Sequence, residues 1–199
     1  MLRLRHARGV RRDADGDLDP RGGRDPPGDR PPVLLRGRTE VAGRALVLGL
    51  GNDLVSDDGF GPRVAAECAG RLGDRPDVAV ESAAVAGFRL LDLLTGFERA
   101  LIVDVVSTGA RPPGSLSEVP VEEASLGRTL GGSHQLDLAT ALALGHRLGY
   151  DLPASVRVLA AEARDLSTIR EGLSPELEAA VPRAVEEVLG WVEGEEVPP

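Results

Sequence analysis

Three residues combine side-chain types and positions that chemistry at a metal ion requires. Asp58 follows the apolar run 45–50 after a glycine-containing loop, Asp104 lies near the end of the apolar run 99–106, and His134 stands where a later helix is predicted to begin. Two carboxylates and an imidazole suit a divalent ion with open coordination positions, such as nickel or zinc. The spacing alone is not a motif, so the interpretation depends on whether the fold brings the three residues together.

Each of these residues also has a structural interpretation. Asp57 or Asp58 could cap the helix predicted to begin near Gly61, and His134 could be an exposed residue in a first helical turn. Asp104 is harder to explain in this way, because a charge that interrupts a buried strand is costly unless it is paired or bound. Asp104 is therefore the strongest of the three candidates.

The loop within LVLGLGNDLVSDDGFG, residues 46–61, argues against phosphate and nucleotide sites. A dinucleotide-binding fingerprint needs G-x-G-x-x-G, but after Gly49 and Gly51 the third glycine is replaced by Leu54. A P-loop needs Lys, which the chain lacks, and no G-x-S-x-G elbow of a serine hydrolase occurs. Two aspartates at the end of the loop predict a cation site instead.

Strand-like and helix-like segments alternate from Arg44 onward. The predicted strands are 45–50, 78–81, 99–106, an edge strand within 114–121, and 155–163; the predicted helices are 61–72, 88–94, 133–148 and one that begins after Ser174. Ser133 and Ser174 are predicted helix caps, and Pro182 is expected to kink the last helix. Such alternation predicts an α/β fold with a mostly parallel sheet and helices on both faces, in which ligands bind beyond the carboxyl ends of the strands.

Composition limits the class of protein. A net charge of −9 argues against a nucleic-acid groove, and no apolar run approaches the length of about 20 residues that a membrane span needs. Cys68 is the single cysteine, which predicts a reducing, cytoplasmic compartment. In its helical context, Cys68 fits a small buried hydrophobic residue better than a nucleophile.

The chain divides into three parts by composition. Residues 1–43 are rich in Arg, Asp, Gly and Pro and are predicted to be a disordered extension, with a docking arm or a misassigned translation start as alternatives. Residues 44–193 are predicted to form one domain, and residues 194–199 a short tail.

Three segments, GLGNDLVSDDGFG, LIVDVV and SHQLDLATALAL, resemble the hydrogenase maturation endopeptidases, which trim the precursor of a [NiFe]-hydrogenase large subunit. The resemblance runs from about residue 44 to residue 191 and implies a three-layer α/β/α sandwich with a twisted, mostly parallel five-stranded sheet. Carried over by position, the metal-contacting residues of the family fall on Asp58, Asp104 and His134. The implied reaction is cleavage of a C-terminal extension after nickel insertion, with the nickel carried by the precursor and the free protein purified without metal.

One segment departs from the family pattern. The family usually has an acidic DGGT sequence where ESAAVAG places Ser82, Ala83, Ala84 and Val85. If that acid assists proteolysis, Ser82 cannot replace it, and Glu81 is expected to point to the opposite face of the strand.

Three hypotheses about function therefore stay open. The first is a monomeric, nickel-directed endopeptidase that acts on the large-subunit precursor and uses water as the attacking group. The second is a non-catalytic module on the same fold that binds or chaperones the nickel-loaded precursor. The third is a small-molecule hydrolase with its own tightly held metal.

Overall fold

The computed structural model describes residues 44–84, 88–124 and 138–194. Within these residues the strands and helices alternate as the hydrophobic pattern predicts. They are β1 (Ala45–Leu50), α1 (Phe60–Leu72), β2 (Val78–Ala83), α2 (Phe88–Leu94), β3 (Arg99–Val106), β4 (Leu116–Val119), α3 (Leu138–Arg147), β5 (Ser155–Glu162) and α4 (Pro175–Glu193). A short 3-10 turn, Ser56–Gly59, precedes α1.

The strands form one five-stranded sheet in the order β2-β1-β3-β5-β4. β1, β2, β3 and β5 run parallel, whereas β4 pairs antiparallel with β5 at the edge. The chain passes from β1 to β2 on one side of β1 and then returns to β3 on the other. This reversal makes a switch point between the carboxyl ends of β1 and β3, where open α/β sheets bind their ligands.

Helices cover both faces of the sheet, which gives the predicted α/β/α sandwich. Every residue of β1 is buried, and its side chains alternate between two hydrophobic clusters. One cluster joins Ala45 and Val47 to α1 and α4, and the other joins the Leu residues of β1 to α2 and α3. The continuous apolar character of β1 and β3 therefore reflects burial on both faces.

The observed element bounds differ from the predicted ones by one or two residues at several ends. β2 extends to Ala83 instead of residue 81, because Gly51 N–H donates to the Ala83 carbonyl and prolongs the pairing with β1. β4 is shorter than predicted but lies at the edge. The described part of α3 begins at Leu138, so the predicted cap Ser133 lies outside the described residues, as do residues 1–43 and 195–199.

The start of α4 corrects one predicted detail. Ser174 occupies the N-cap position and Pro175 the first turn, as predicted, and the helix continues through Pro182. The Ser174 hydroxyl, however, makes no hydrogen bond to the described residues. The side chain is therefore not the predicted cap. No helix among the described residues combines the length and the apolar character needed to cross a membrane.

Candidate active site at the carboxyl edge of the sheet

Glycines allow the loop between β1 and α1 to fold back over the end of β1. Gly51 has a φ of 136°, and a Cβ there would lie 1.8 Å from the backbone oxygen of Asp58. A Cβ on Gly61 would lie 2.3 Å from the carbonyl oxygen of Leu50 and 2.5 Å from that of Val103. These approaches are too close for any other residue, and they hold Asp58 against the carboxyl edge of the sheet.

Asp57 is a structural carboxylate. The residue is fully buried, and its Oδ1 accepts a hydrogen bond from Ser174 N at 2.6 Å. Its Oδ2 accepts hydrogen bonds from the backbone N–H groups of Arg164 at 2.9 Å and Asp165 at 2.8 Å. Asp57 thus ties the β1–α1 loop to the β5–α4 loop. It does not cap α1, whose N-cap residue is Gly59 and which has no side-chain cap.

Asp58 has a different environment from its neighbour. The side chain is half-buried, and Oδ2 accepts one hydrogen bond, from Asn52 N at 2.8 Å. Burial raises the pKa of the Asp58 carboxyl, and the Asn52 N–H opposes that increase. No side chain caps α1, so the cap interpretation of Asp58 is wrong as well.

Asp104 is more deeply buried than Asp58. It lies at the carboxyl end of β3, beside Ala160 of β5, and is 8% exposed. The pKa of the Asp104 carboxyl is raised to about 7, mainly by burial and to a smaller extent by the negative charge of Asp58, while the hydrogen bond from Val105 N, at 2.7 Å, opposes the increase. Asp58 and Asp104 lie at the same edge of the sheet, because a Cβ on Gly61, three residues after Asp58, would lie 2.5 Å from the carbonyl oxygen of Val103, which precedes Asp104.

The two carboxylates have few partners within the described residues. Each accepts one backbone N–H, and neither forms an ion pair there. Such a pair resists double ionisation and favours a shared proton or a cation. The oxygen donors suit a hard or borderline divalent ion.

His134, the third predicted ligand, lies outside the described residues. Those residues contain no group of three His, Cys, Asp or Glu side chains that could hold a metal ion. The helix that follows His134 is informative about topology. The segment after α3 lies beside the amino end of β3, because Gly96 N donates to Asp151 O and Ala154 N to Glu98 O. The carboxyl end of α3 is therefore at the amino edge of the sheet, and its amino end points towards the carboxyl edge, where Asp104 lies.

Glu162 is a second buried carboxylate that stabilises a loop, and its role was not predicted from the sequence. This residue ends β5, is 4% exposed, and accepts 2.7 Å hydrogen bonds from Thr108 N, Thr108 Oγ and Gly109 N. Burial acts to raise the Glu162 pKa, but these hydrogen bonds leave it lowered. They fix the loop after β3 onto β5. The signal was present in the sequence, because Glu162 ends an apolar strand just as Asp104 does.

The segment that departs from the family pattern lies at the end of β2. Ser82 is exposed, pairs in register with Gly49, and shares a strand face with Val80. Glu81 alternates with Ala83, which packs on the α2 and α3 side. Glu81 therefore points to the face opposite Ser82, as predicted, and this is the face that carries Asp104.

Comparisons with known proteins agree with this architecture. The HycI family model, described as hydrogenase maturation protease, matches residues 62–191. The chain is 29% identical over 147 residues to the hydrogenase 2 maturation protease of Escherichia coli, covering 73% of this chain and 88% of that protein. It is 28% identical over 149 residues to the hydrogenase expression/formation protein HupD of Thiocapsa roseopersicina, covering 74% of this chain and 66% of HupD.

Solved structures place the fold in the same group. The hydrogenase maturating endopeptidase HybD from E. coli superposes with a TM-score of 0.62 at 27% identity, covering 76% of this chain and 93% of that one. The α/β fold with a five-stranded, mostly parallel sheet is thus confirmed.

Proposed function

Since this chain belongs to the hydrogenase maturation protease family, we propose that it removes the C-terminal extension of a [NiFe]-hydrogenase large-subunit precursor after nickel insertion. The observation that carries the proposal is the pair of partly desolvated carboxylates, Asp58 and Asp104, at the switch point of the sheet. The names of the relatives, as maturation proteases or endopeptidases, support a peptidase reaction. The cytoplasmic location and the monomeric state are further parts of this proposal.

The nickel ion of the precursor is the recognition element in this account. Asp58 and Asp104 supply carboxylate oxygens, and His134 supplies an imidazole nitrogen, a donor set that accepts Ni²⁺. The raised pKa values support this role, because an approaching cation relieves the cost of ionising one half-buried and one buried carboxyl group. The metal arrives with the substrate and is not a resident cofactor.

Water is the attacking group in the proposed reaction. Cys68, the single cysteine, is fully buried within α1, and burial raises the pKa of its thiol to about 12. A thiolate nucleophile is therefore not accessible at neutral pH. In the proposed reaction a water molecule beside the scissile bond attacks it, and one carboxylate of the pair accepts the proton of that water.

The proposal is tested with nickel-loaded precursor and a set of matched variants. We expect the wild-type protein to shorten the precursor, and Asp58→Asn, Asp104→Asn and His134→Ala each to slow processing by about 100-fold or more. Asp74→Asn is the control, because Asp74 is an exposed acid between α1 and β2, at the opposite edge of the sheet from Asp58. Normal processing by Asp104→Asn and His134→Ala would contradict the assignment of the site.

A non-catalytic module is the second candidate, favoured by Ser82 at the position where the family pattern has an acid. It predicts stable binding of nickel-loaded precursor with no change in precursor mass over hours. A small-molecule hydrolase with its own metal predicts stoichiometric metal in the purified protein. Elemental analysis separates that possibility from the other two.

A further inference from the structure

Two exposed apolar side chains lie on the loops that border the carboxylate pair. Among the described residues the exposed large hydrophobic side chains are Leu54 at 53%, Leu148 at 61% and Ile169 at 78%. Leu54 belongs to the β1–α1 loop, four residues before Asp58, and Ile169 belongs to the β5–α4 loop. Leu148 follows α3 and lies away from this edge. Leu54 and Ile169 are called the apolar pair below.

The backbone beneath the apolar pair is firmly held. Val55 and Arg170 form a parallel β-bridge, and Ser56 N donates to Arg170 O at 2.9 Å. The Arg170 guanidinium donates two 3.2 Å hydrogen bonds to Ser56 Oγ. Because Leu54 and Ile169 each precede one member of the bridge, they occupy equivalent places on neighbouring segments.

Two further features fix these segments in one conformation. Ser56 is fully buried with a φ of 38°, a conformation that a serine keeps only when its surroundings enforce it. Asp57 then joins the same two loops through three backbone hydrogen bonds. The exposure of Leu54 and Ile169 is thus a property of an ordered surface, which lowers the entropic cost of binding a partner.

The surroundings of the apolar pair are typical of a protein-binding site. Charged residues flank it in sequence, Asp53 before Leu54 and Arg170 with Glu171 after Ile169, and all three are exposed. An apolar centre with a charged rim is the usual anatomy of such an interface. Leu54 and Asp58 share the β1–α1 loop, so a polypeptide bound at Asp58 lies close to Leu54.

We propose that Leu54 and Ile169 form a docking surface for an apolar segment of the large-subunit precursor next to its cleavage site. This inference rests on the proposed function for the identity of the partner. The apolar pair contributes binding of the macromolecular substrate and takes no part in the chemical step. Its loss therefore weakens binding of the precursor without changing the rate at which bound precursor is cleaved.

The test compares Leu54→Ser and Ile169→Ser with the control Leu148→Ser, which removes an equally exposed side chain elsewhere. We expect each of the first two to raise the KM for nickel-loaded precursor about tenfold with kcat unchanged, as follows from exposing one aliphatic side chain in the complex. Leu148→Ser should match the wild type. Thermal unfolding should be alike for all four proteins, because these side chains are already exposed.

An unchanged KM in both Leu54→Ser and Ile169→Ser would overturn the inference, as would a fall in kcat alone. If the wild-type protein leaves the precursor uncut, the proposed function fails instead. The Kd for nickel-loaded precursor, measured with the same variants, then decides about the docking surface. A tenfold weaker Kd in the two variants supports it, and an unchanged Kd rejects it.

Discussion

Asp57 and Asp58 are adjacent in sequence but have opposite roles. Asp57 is fully buried and uses both carboxylate oxygens on backbone N–H groups from the β5–α4 loop and the start of α4. Asp58 accepts a single N–H, and burial raises its pKa. A carboxylate with satisfied hydrogen bonds stabilises the fold, whereas one with few partners is available for a substrate.

This difference predicts opposite effects of the same substitution on stability. Asp57→Asn should lower the free energy of unfolding by about 2–4 kcal/mol, because an amide can accept only through one atom and places an NH₂ group against backbone donors. Asp58→Asn should change it by less than about 1 kcal/mol. Urea unfolding of the two variants measures both values. Equal losses would contradict the division of roles.

Asp104 predicts a dependence of stability on pH. Its folded-state pKa of about 7 lies above the unfolded value of about 3.9, so the folded protein binds the proton more tightly. The stability from this proton is fully present below the unfolded pKa and is lost as the pH rises through about 7. Asp104→Asn removes this contribution, because the amide does not titrate.

The measurement is urea unfolding of the metal-free wild-type and Asp104→Asn proteins at several values between pH 5 and pH 8. The stability of the variant relative to the wild type should increase with pH, by an amount on the order of a few kcal/mol across the range, given about 1.4 kcal/mol for each pKa unit. If the free energy of unfolding depended on pH in the same way for both proteins, Asp104 would titrate below this range.

At the scale of the elements, the loop that carries Asp58 depends on glycines in close contact with backbone. Gly61 lies in the first turn of α1, against the carbonyl oxygens of Leu50 and Val103, where a Cβ would come within 2.5 Å of both. Gly61→Ala should therefore separate α1 from β1 and cost about 2 kcal/mol or more in stability, with loss of processing.

Gly70 provides the matched control in the same helix. A Cβ on Gly70 would meet nothing within 4 Å. Gly70→Ala should stabilise the protein by about 0.5–1 kcal/mol, as alanine does in a helix interior, and leave processing intact. Thermal unfolding and precursor cleavage measure both variants. Unchanged stability and unchanged precursor cleavage in Gly61→Ala would contradict the packing argument.

Elements with strong local signals could be predicted from the sequence. β1 and β3 are apolar runs buried on both faces, and α4 begins with Ser174 and Pro175 as their types predict. The predicted capping role of the Ser174 side chain is wrong, because its hydroxyl makes no hydrogen bond to the described residues. The backbone N–H of Ser174 instead donates to Asp57, 117 positions away in the chain. A contact of that kind leaves no periodic pattern in the sequence.

At the scale of the whole molecule, chain order alone predicted that Asp58 and Asp104 converge, because both follow strands of one parallel sheet. In the structure the loop that carries Asp58 packs against the carboxyl end of β3, because a Cβ on Gly61 would lie 2.5 Å from the carbonyl oxygen of Val103. The joint role of the two carboxylates stays a prediction. The bonds that hold the surrounding loops could not be predicted, since Asp57 and Glu162 reach partners more than 50 positions away. His134 lies outside the described residues, and its part in the site stays a prediction.

The intact mass of a nickel-loaded large-subunit precursor, before and after incubation with this protein, tests the central claim most directly. We predict that the wild-type protein removes one C-terminal fragment from the nickel-loaded precursor, leaves nickel-free precursor at full length, and loses this activity in Asp104→Asn. An unchanged mass with the wild-type protein, or equal cleavage by Asp104→Asn, would contradict the account.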